Sequence, residues 1–439
     1  MGVITTESNK QTLRILFFWL FTAVLAGAVG TTLVYLFTNI YNFITNFLIN
    51  SVDIPLFLYP IFGAVVVGAV VYRIEPKSMG EGIPSYLEGL NENFGQLSFK
   101  ETFFKFWAAL VTLSTFGNGG FVGPVGRVSA GVMSSIGKLF TGRFMKHSYI
   151  HLYTICGLSA AIGALLHSPI GAGIFAVEII QKTDMKYSDL FPSILSSAVS
   201  VYFARLIGLK PIISFSSIHK HFDPAITGWL LLIAITAGLA GYGYIKLYEI
   251  VSKILHRDHS HKNYIIIIKV LAGSILAGII AVSVNIDILG TSPRLFQAVF
   301  SFNKAILYGS IPHAVPLSIA IIIVMILKAA ANCFTIGSGL SAGFAGPAML
   351  MGLLLGTVFV LIAGITPGTP EYYAFLAAGF AGMLSSTMNT PIATAVITLE
   401  LFGFAYSLPA GIASIIGFQV NRSNTLYDFA LRERKTEYE

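Results

Sequence analysis

Two stretches of this chain lack charge for longer than one helix needs to cross a bilayer. No Asp, Glu, Lys or Arg occurs between Arg14 and Asp53, or between Lys328 and Glu371, whereas about 20 apolar residues suffice to span. Each run is therefore expected to hold several packed helices. From 329 to 421 the only charges are Glu371 and Glu400, so most of the second half lies in lipid. Charged residues make up 11% of the 439-residue chain and hydrophobic ones 55%. That composition excludes an ordinary soluble domain and predicts an all-α integral membrane protein. Nothing between Ile15 and Asp53 reads as a cleavage site, so the N-terminal run is expected to stay as a first helix.

The net charge of +7 is spread over short loops and ends. This reads as a positive-inside topology signal, not as a stripe for nucleic acid. Lys10 and Arg14, the segment 252–262, and Arg432, Arg434 and Lys435 mark cytoplasmic sides, which puts both ends inside. His256, His259 and His261 fall in that charged segment, where a solvated loop explains them without metal. Cys156 and Cys333 stand alone in apolar segments, so neither a disulfide framework nor a zinc site is expected. No cofactor is implied.

The chain repeats itself. GGFVGP at 119–124 matches AGFAGP at 342–347, an offset of 223. The stretch 157–179 lies on 379–401, pairing Gly157 with Gly379, Pro169 with Pro391, and Glu178 with Glu400 at an offset of 222. This divides the chain into a first transmembrane repeat with its N-terminal helix (1–212), a junction (213–224), a second repeat (225–421) and a final segment (422–439). Transporters built from two such halves place the substrate where broken helices of the halves meet. Apolar segments are cut short at Pro84, Pro124, Pro169, Pro347 and Pro391, and proline suits the first turn of a helix. Uneven, partly crossing helices follow, with irregular backbone only where it is buried or lines a cavity.

A glycine turn running at once into a proline-started helix presents free backbone N–H groups at the positive end of the helix dipole, an arrangement suited to anions. Three such turns occur: GEGIP at 80–84, GFVGP at 120–124 and GFAGP at 343–347. Any one of them could be a packing turn. Three, two of them related by the repeat, point to an anion pathway.

With SPIGAGIFAVE at 168–178 and TLY at 425–427, these turns resemble the CLC chloride channels and chloride/proton antiporters over nearly the whole chain. The resemblance implies many tilted, partly broken helices in two inverted repeats, and a homodimer in which each subunit has its own pore. It also implies a multi-pass location in a cell membrane, such as a prokaryotic plasma membrane, and no room after Tyr427 for the cytoplasmic CBS domains of some members. The motif whose serine helps bind the central anion falls on Gly80, Glu81, Gly82, Ile83 and Pro84. The motif whose glutamate gates the pore and accepts protons falls on Gly120, Phe121, Val122, Gly123 and Pro124. The third, which offers backbone N–H groups, falls on Gly343, Phe344, Ala345, Gly346 and Pro347, and the inner tyrosine falls on Tyr427. The expected lining is the N–H groups of Ile83, Val122, Gly123, Phe344 and Ala345, with dipoles that attract an anion without trapping it.

The departures bear on mechanism. Val122 cannot hold a proton, and the inner relay acid of some antiporters falls on Ile179. Both point to a passive chloride (or other small anion) channel without the usual gate. Glu81 replaces the serine, and an ionised carboxylate about 4 Å from a bound anion would oppose it by about 4 kcal/mol at an effective dielectric near 20. Glu81 must be protonated, turned away or paired, and Arg127 is the candidate partner. The alternative is a proton-coupled chloride antiporter with Glu81 as relocated protonatable group. Ala345 in place of the motif's phenylalanine implies a wider inner lining. An intramembrane serine hydrolase using Ser338 is disfavoured, because such chemistry needs a histidine on a later helix and the last is His313.

Overall fold

The computed structural model describes residues 2–51, 54–140, 149–180, 185–214, 222–255, 263–422 and 425–438. His256, His259 and His261, and the junction between 215 and 221, lie outside them. The first half contains α1 (Gly2–Ser51), α2 (Tyr59–Val66), α3 (Tyr72–Ile74), α4 (Ile83–Glu92), α5 (Phe99–Ser114), α6 (Val122–Phe140), α7 (Ile150–Leu166), α8 (Gly171–Glu178) and α9 (Tyr187–Leu206). The second contains α10 (Thr227–Leu255), α11 (Asn263–Val284), α12 (Pro293–Ser301), α13 (Lys304–Tyr308), α14 (Leu317–Gly337), α15 (Ala345–Ala363), α16 (Pro370–Met388), α17 (Pro391–Phe402) and α18 (Ser407–Val420), followed by α19 (Leu426–Tyr438). No strand occurs among the described residues. The fold is all-α, and among the described residues six helices are long and apolar enough to cross a membrane.

The first charge-free run is one helix, not several. Nothing between Gly2 and Ser51 is proline, so nothing interrupts α1, and its apolar part, Leu13–Ser51, covers 39 residues. At about 1.5 Å per residue that is nearly twice the roughly 30 Å hydrocarbon thickness, so this helix must tilt or protrude. The second run does divide, into the end of α14, all of α15 and the start of α16.

The repeat extends beyond the two matching stretches. In order, α1, α2–α3, α4, α5, α6, α7, α8 and α9 correspond to α10, α11, α12, α14, α15, α16, α17 and α18. Packing repeats as well: α6 lies on α7 as α15 lies on α16, and α7 on α9 as α16 on α18. At these crossings the repeated glycines let backbones touch. A Cβ on Gly379 would stand 2.2 Å from the Gly352 carbonyl oxygen, and one on Gly157 would stand 2.7 Å from that of Ser129, the close approach that small residues permit between membrane helices.

Two broken helices repeat in the same way. α7 ends at His167 and α16 at Asn389, both left-handed at φ 54° and 58°, and each chain then turns into the short helices α8 and α17. The carboxylates at the far ends cap across the halves. Glu178 of α8 accepts from the N–H groups of Ile392 (3.0 Å) and Ala393 (2.7 Å) at the start of α17. Glu400 of α17 accepts from Ile170 (2.8 Å), Gly171 (2.9 Å) and the Ser168 hydroxyl at the start of α8. Each satisfies otherwise unpaired first-turn donors and places negative charge at a helix N-terminus.

Two lysines, Lys105 in α5 and Lys328 in α14, occupy equivalent places 223 residues apart, and both are buried. Lys105 Nζ donates to the carbonyls of Ser78 (3.1 Å), Met79 (3.0 Å), Gly80 (2.5 Å) and Glu81 (3.2 Å). Lys328 Nζ donates to Ile288 O (2.8 Å), Gly290 O (2.8 Å) and Asn118 Oδ1 (3.0 Å). Each therefore pins the irregular segment that precedes α4 or α12.

Candidate anion-binding site

The three glycine turns meet. Gly120 and Gly343 pair as an antiparallel bridge, Gly120 N–H to Gly343 O at 2.8 Å and Gly343 N–H to Gly120 O at 2.9 Å. Side chains would not fit: a Cβ on Gly346 would lie 2.9 Å from Gly120 Cα, and one on Gly82 would lie 2.4 Å from Gly123 O. Gly80, at φ 68°, donates to Gly339 O at 2.7 Å. From this junction α4 starts at Ile83 with Pro84 in its first turn, α6 starts at Val122 with Pro124, and α15 starts at Ala345 with Pro347. Three helix N-termini are thus brought together, each with first-turn N–H groups that have no partner within their own helix.

Glu81 lies in the middle of this arrangement. It is 5% exposed, and its Oε2 accepts from Ile83 N–H at 2.5 Å. Its Oε1 sits against Gly123: an ideal Cβ there would be 1.5 Å away. The carboxyl is therefore neither turned away nor in an open vestibule, but laid on the starts of α4 and α6. Glu81 Oε1 and the Tyr427 hydroxyl are buried polar atoms without a hydrogen-bond partner in the protein, and the two residues are within electrostatic range of each other.

Arg127 is not the partner of Glu81. Its guanidinium reaches the other way, to Ser85 Oγ (2.7 Å), Thr102 Oγ1 (3.0 Å) and the Glu101 carboxylate (3.1 Å). The cation near Glu81 is Lys105, whose ammonium is bonded to the carbonyls beneath the turn. Arg434, which the sequence offered only as a topology signal, joins the Arg127 cluster through Glu101 (3.1 Å), Glu88 (2.5 Å) and Lys77 O (2.7 Å). It ties α19, and with it Tyr427, to α4 and α5. The Ser98-to-Glu101 spacing marks a helix start but carries no sign of this ion pair. Lys105 could have been found, because it and Lys328 share the repeat offset.

Ala345 is buried beside the ring of Phe344. The ring of Phe344 is fully buried and packs at 4.7 Å from Tyr248, 6.2 Å from Tyr427 and 6.3 Å from Tyr244. Val122 is buried at the first position of α6, and Ile179 is buried just beyond α8. Ser338 bonds the Thr335 carbonyl at 2.8 Å. On the other side of the junction, Gly120, Phe121 and Gly346 open into a larger cavity of about 430 Å³ that includes Lys210.

A two-fold repeated helical bundle with helix starts converging at its centre is a multi-pass membrane transport architecture. The chain matches the family described as voltage gated chloride channel over residues 63–422 and belongs to it, the CLC family, whose members move chloride and related anions across membranes. An uncharacterized protein of Methanocaldococcus jannaschii is 27% identical over 353 residues, 80% of this chain and 82% of the relative. The H(+)/Cl(-) exchange transporter ClcA of Salmonella schwarzengrund is 24% identical over 426 residues, 90% of this chain and 82% of the relative. Among solved structures, a CLC-type fluoride/proton antiporter superposes with a TM-score of 0.75 at 20% identity, covering 95% of this chain and 98% of that one. A slow cyanobacterial Cl⁻/H⁺ antiporter superposes with a TM-score of 0.76 at 16% identity, covering 97% and 99%. These superpositions establish the fold.

Proposed function

We propose that this protein exchanges chloride, or another small anion, for protons, with Glu81 as the protonatable group at the anion site. The observation that carries this reading is the position of the Glu81 carboxyl on the Ile83 N–H and against Gly123. Ionised, it competes with an anion for the same donors. Protonated, it gives up the charge that opposes the anion, so occupancy by one ion is tied to occupancy by the other. The Tyr427 hydroxyl, a donor without a protein acceptor, stands ready on the inner side. The likeness to exchangers supports the same reading.

A second reading, passive conduction, is favoured by Val122 and Ile179, which stand where the resemblance puts the gating acid and the inner relay acid of some antiporters. Reconstituted liposomes with a chloride gradient and recorded external pH separate the two. Uphill proton movement, abolished by Glu81→Gln, is expected. Fast chloride loss with no proton movement at clamped voltage would establish the channel instead. Repeating the gradient with fluoride identifies the anion. We further propose a homodimer joined through α8, α9, α17 and α18. α8 packs against both α9 and α17, α17 packs against α18, and α9, α17 and α18 carry exposed Phe191, Leu195, Tyr202, Ile392, Leu408 and Ile415.

A further inference from the structure

Resting on the exchange reading, we infer that Glu433 of α19 is the inner proton-transfer residue that loads and unloads Glu81. Exchange requires a proton route from Glu81 to solution, and Ile179 offers none. A cavity of about 50 Å³ lies under the turn at Gly80, with Gly80, Glu81, Tyr248, Gly339, Glu433 and Arg434 in its wall. Among the described residues, Glu81 and Glu433 are the only carboxylates lining it. A site that holds one water needs roughly 10–15 Å³ and two or more polar partners, so this one accommodates a short file of waters between the two acids.

Glu433 is held for that task. Its Oε2 accepts from the Tyr248 hydroxyl at 3.4 Å, and the Tyr248 ring is wedged between Phe344 (4.7 Å) and Phe429 (5.7 Å). Among the described residues, charged groups nearby include Arg434 on its own helix, Glu88 of α4 and Glu101 of α5, which Arg434 bridges, Glu81 across the cavity, and Lys253 of α10, over the Phe429 ring one turn before Glu433. Glu433 is half-buried and lies on α19, the helix that also carries Arg432, Arg434 and Lys435. A proton taken from inner water forms an O–H bond on Glu433. That bond breaks as a proton passes along the water file, and a new O–H forms on Glu81, leaving Glu433 ionised and Glu81 neutral. The Ile83 N–H is then released to an anion.

The test measures proton and chloride flux together in liposomes holding the full chain. Glu433→Gln is expected to lower protons moved per chloride about tenfold or more, the scale of a lost acid–base group, and Glu433→Asp to keep coupling. Glu433→Ser gives the same reading if the glutamine variant does not elute as folded protein. A Glu433→Gln flux ratio equal to that of the unaltered protein overturns this assignment and leaves the exchange reading standing. An unaltered protein that moves no protons overturns both.

Discussion

The Glu81 carboxyl occupies the volume that a side chain on Gly123 would need, with Oε1 1.5 Å from the ideal Cβ position. The placement of Glu81 in the first glycine turn therefore depends on a glycine in the second. Gly123→Ala should expel the carboxyl from the Ile83 N–H, an overpacking of about 1–3 kcal/mol. The expected outcome is loss of proton coupling in the liposome assay with the protein still folded. Coupling that survives Gly123→Ala would mean that Glu81 does not work from this position.

Val122 begins α6 and is buried at the junction. Val122→Glu would place a carboxylate in that first turn, where the helix N-terminus favours the ionised form by roughly 0.3–1 kcal/mol. Anion flux should fall at neutral pH and recover once the pH is low enough to protonate the new carboxyl. The check is flux against pH for the variant and the parent. An unchanged flux at neutral pH would misplace this turn with respect to the pathway.

The two buried lysines separate stability from transport. Lys328→Met strips donors from Asn118 Oδ1 and two carbonyls and should destabilise by about 3 kcal/mol or more, at roughly 1–3 kcal/mol for each buried acceptor left unpaired. Lys105→Met should destabilise similarly, and because its carbonyls belong to the turn that carries Glu81 it should also alter the proton-to-chloride ratio. Thermal unfolding in detergent and the two-ion flux assay, run on both variants, read the two effects independently.

Glu178 and Glu400 offer a matched pair. Glu178→Ala leaves the Ile392 and Ala393 N–H groups unpaired, and Glu400→Ala does the same for Ile170 and Gly171. Each should lower stability by about 2 kcal/mol or more, at roughly 1–3 kcal/mol for each amide left unpaired. Glutamine, which keeps an acceptor but not the charge, should recover part of it. A melting temperature unmoved by either alanine variant would show that water or lipid headgroups satisfy those amides.

Much of the architecture was legible because its signals are local. The three turns announce themselves by glycine and proline within five residues, and the repeat shows wherever both halves kept the same small residues. The equivalence of α4 with α12 was hidden because those helices share packing partners but little sequence. The partner of Arg127 was hidden for a different reason. Glu101 reaches it from a separate helix, and the choice between Glu81 and Glu101 depends on how α5 crosses α6. The same holds for Phe344, whose contacts with Tyr244, Tyr248 and Tyr427 come from distant parts of the chain. The single helix α1 corrected an expectation drawn from span length, because charge-free length limits how many helices fit but does not require a break.

The crossed carboxylate caps also set an order on how the chain is made. Gly171 and Glu400 are 229 residues apart, so at a synthesis rate of roughly 5–20 residues per second the start of α8 waits about 10–45 seconds for its cap. During that interval the first half sits in the membrane with open amides at a helix end. The newly made half is therefore a natural client for whatever escorts unfinished membrane proteins, and a slow ribosome lengthens its exposure.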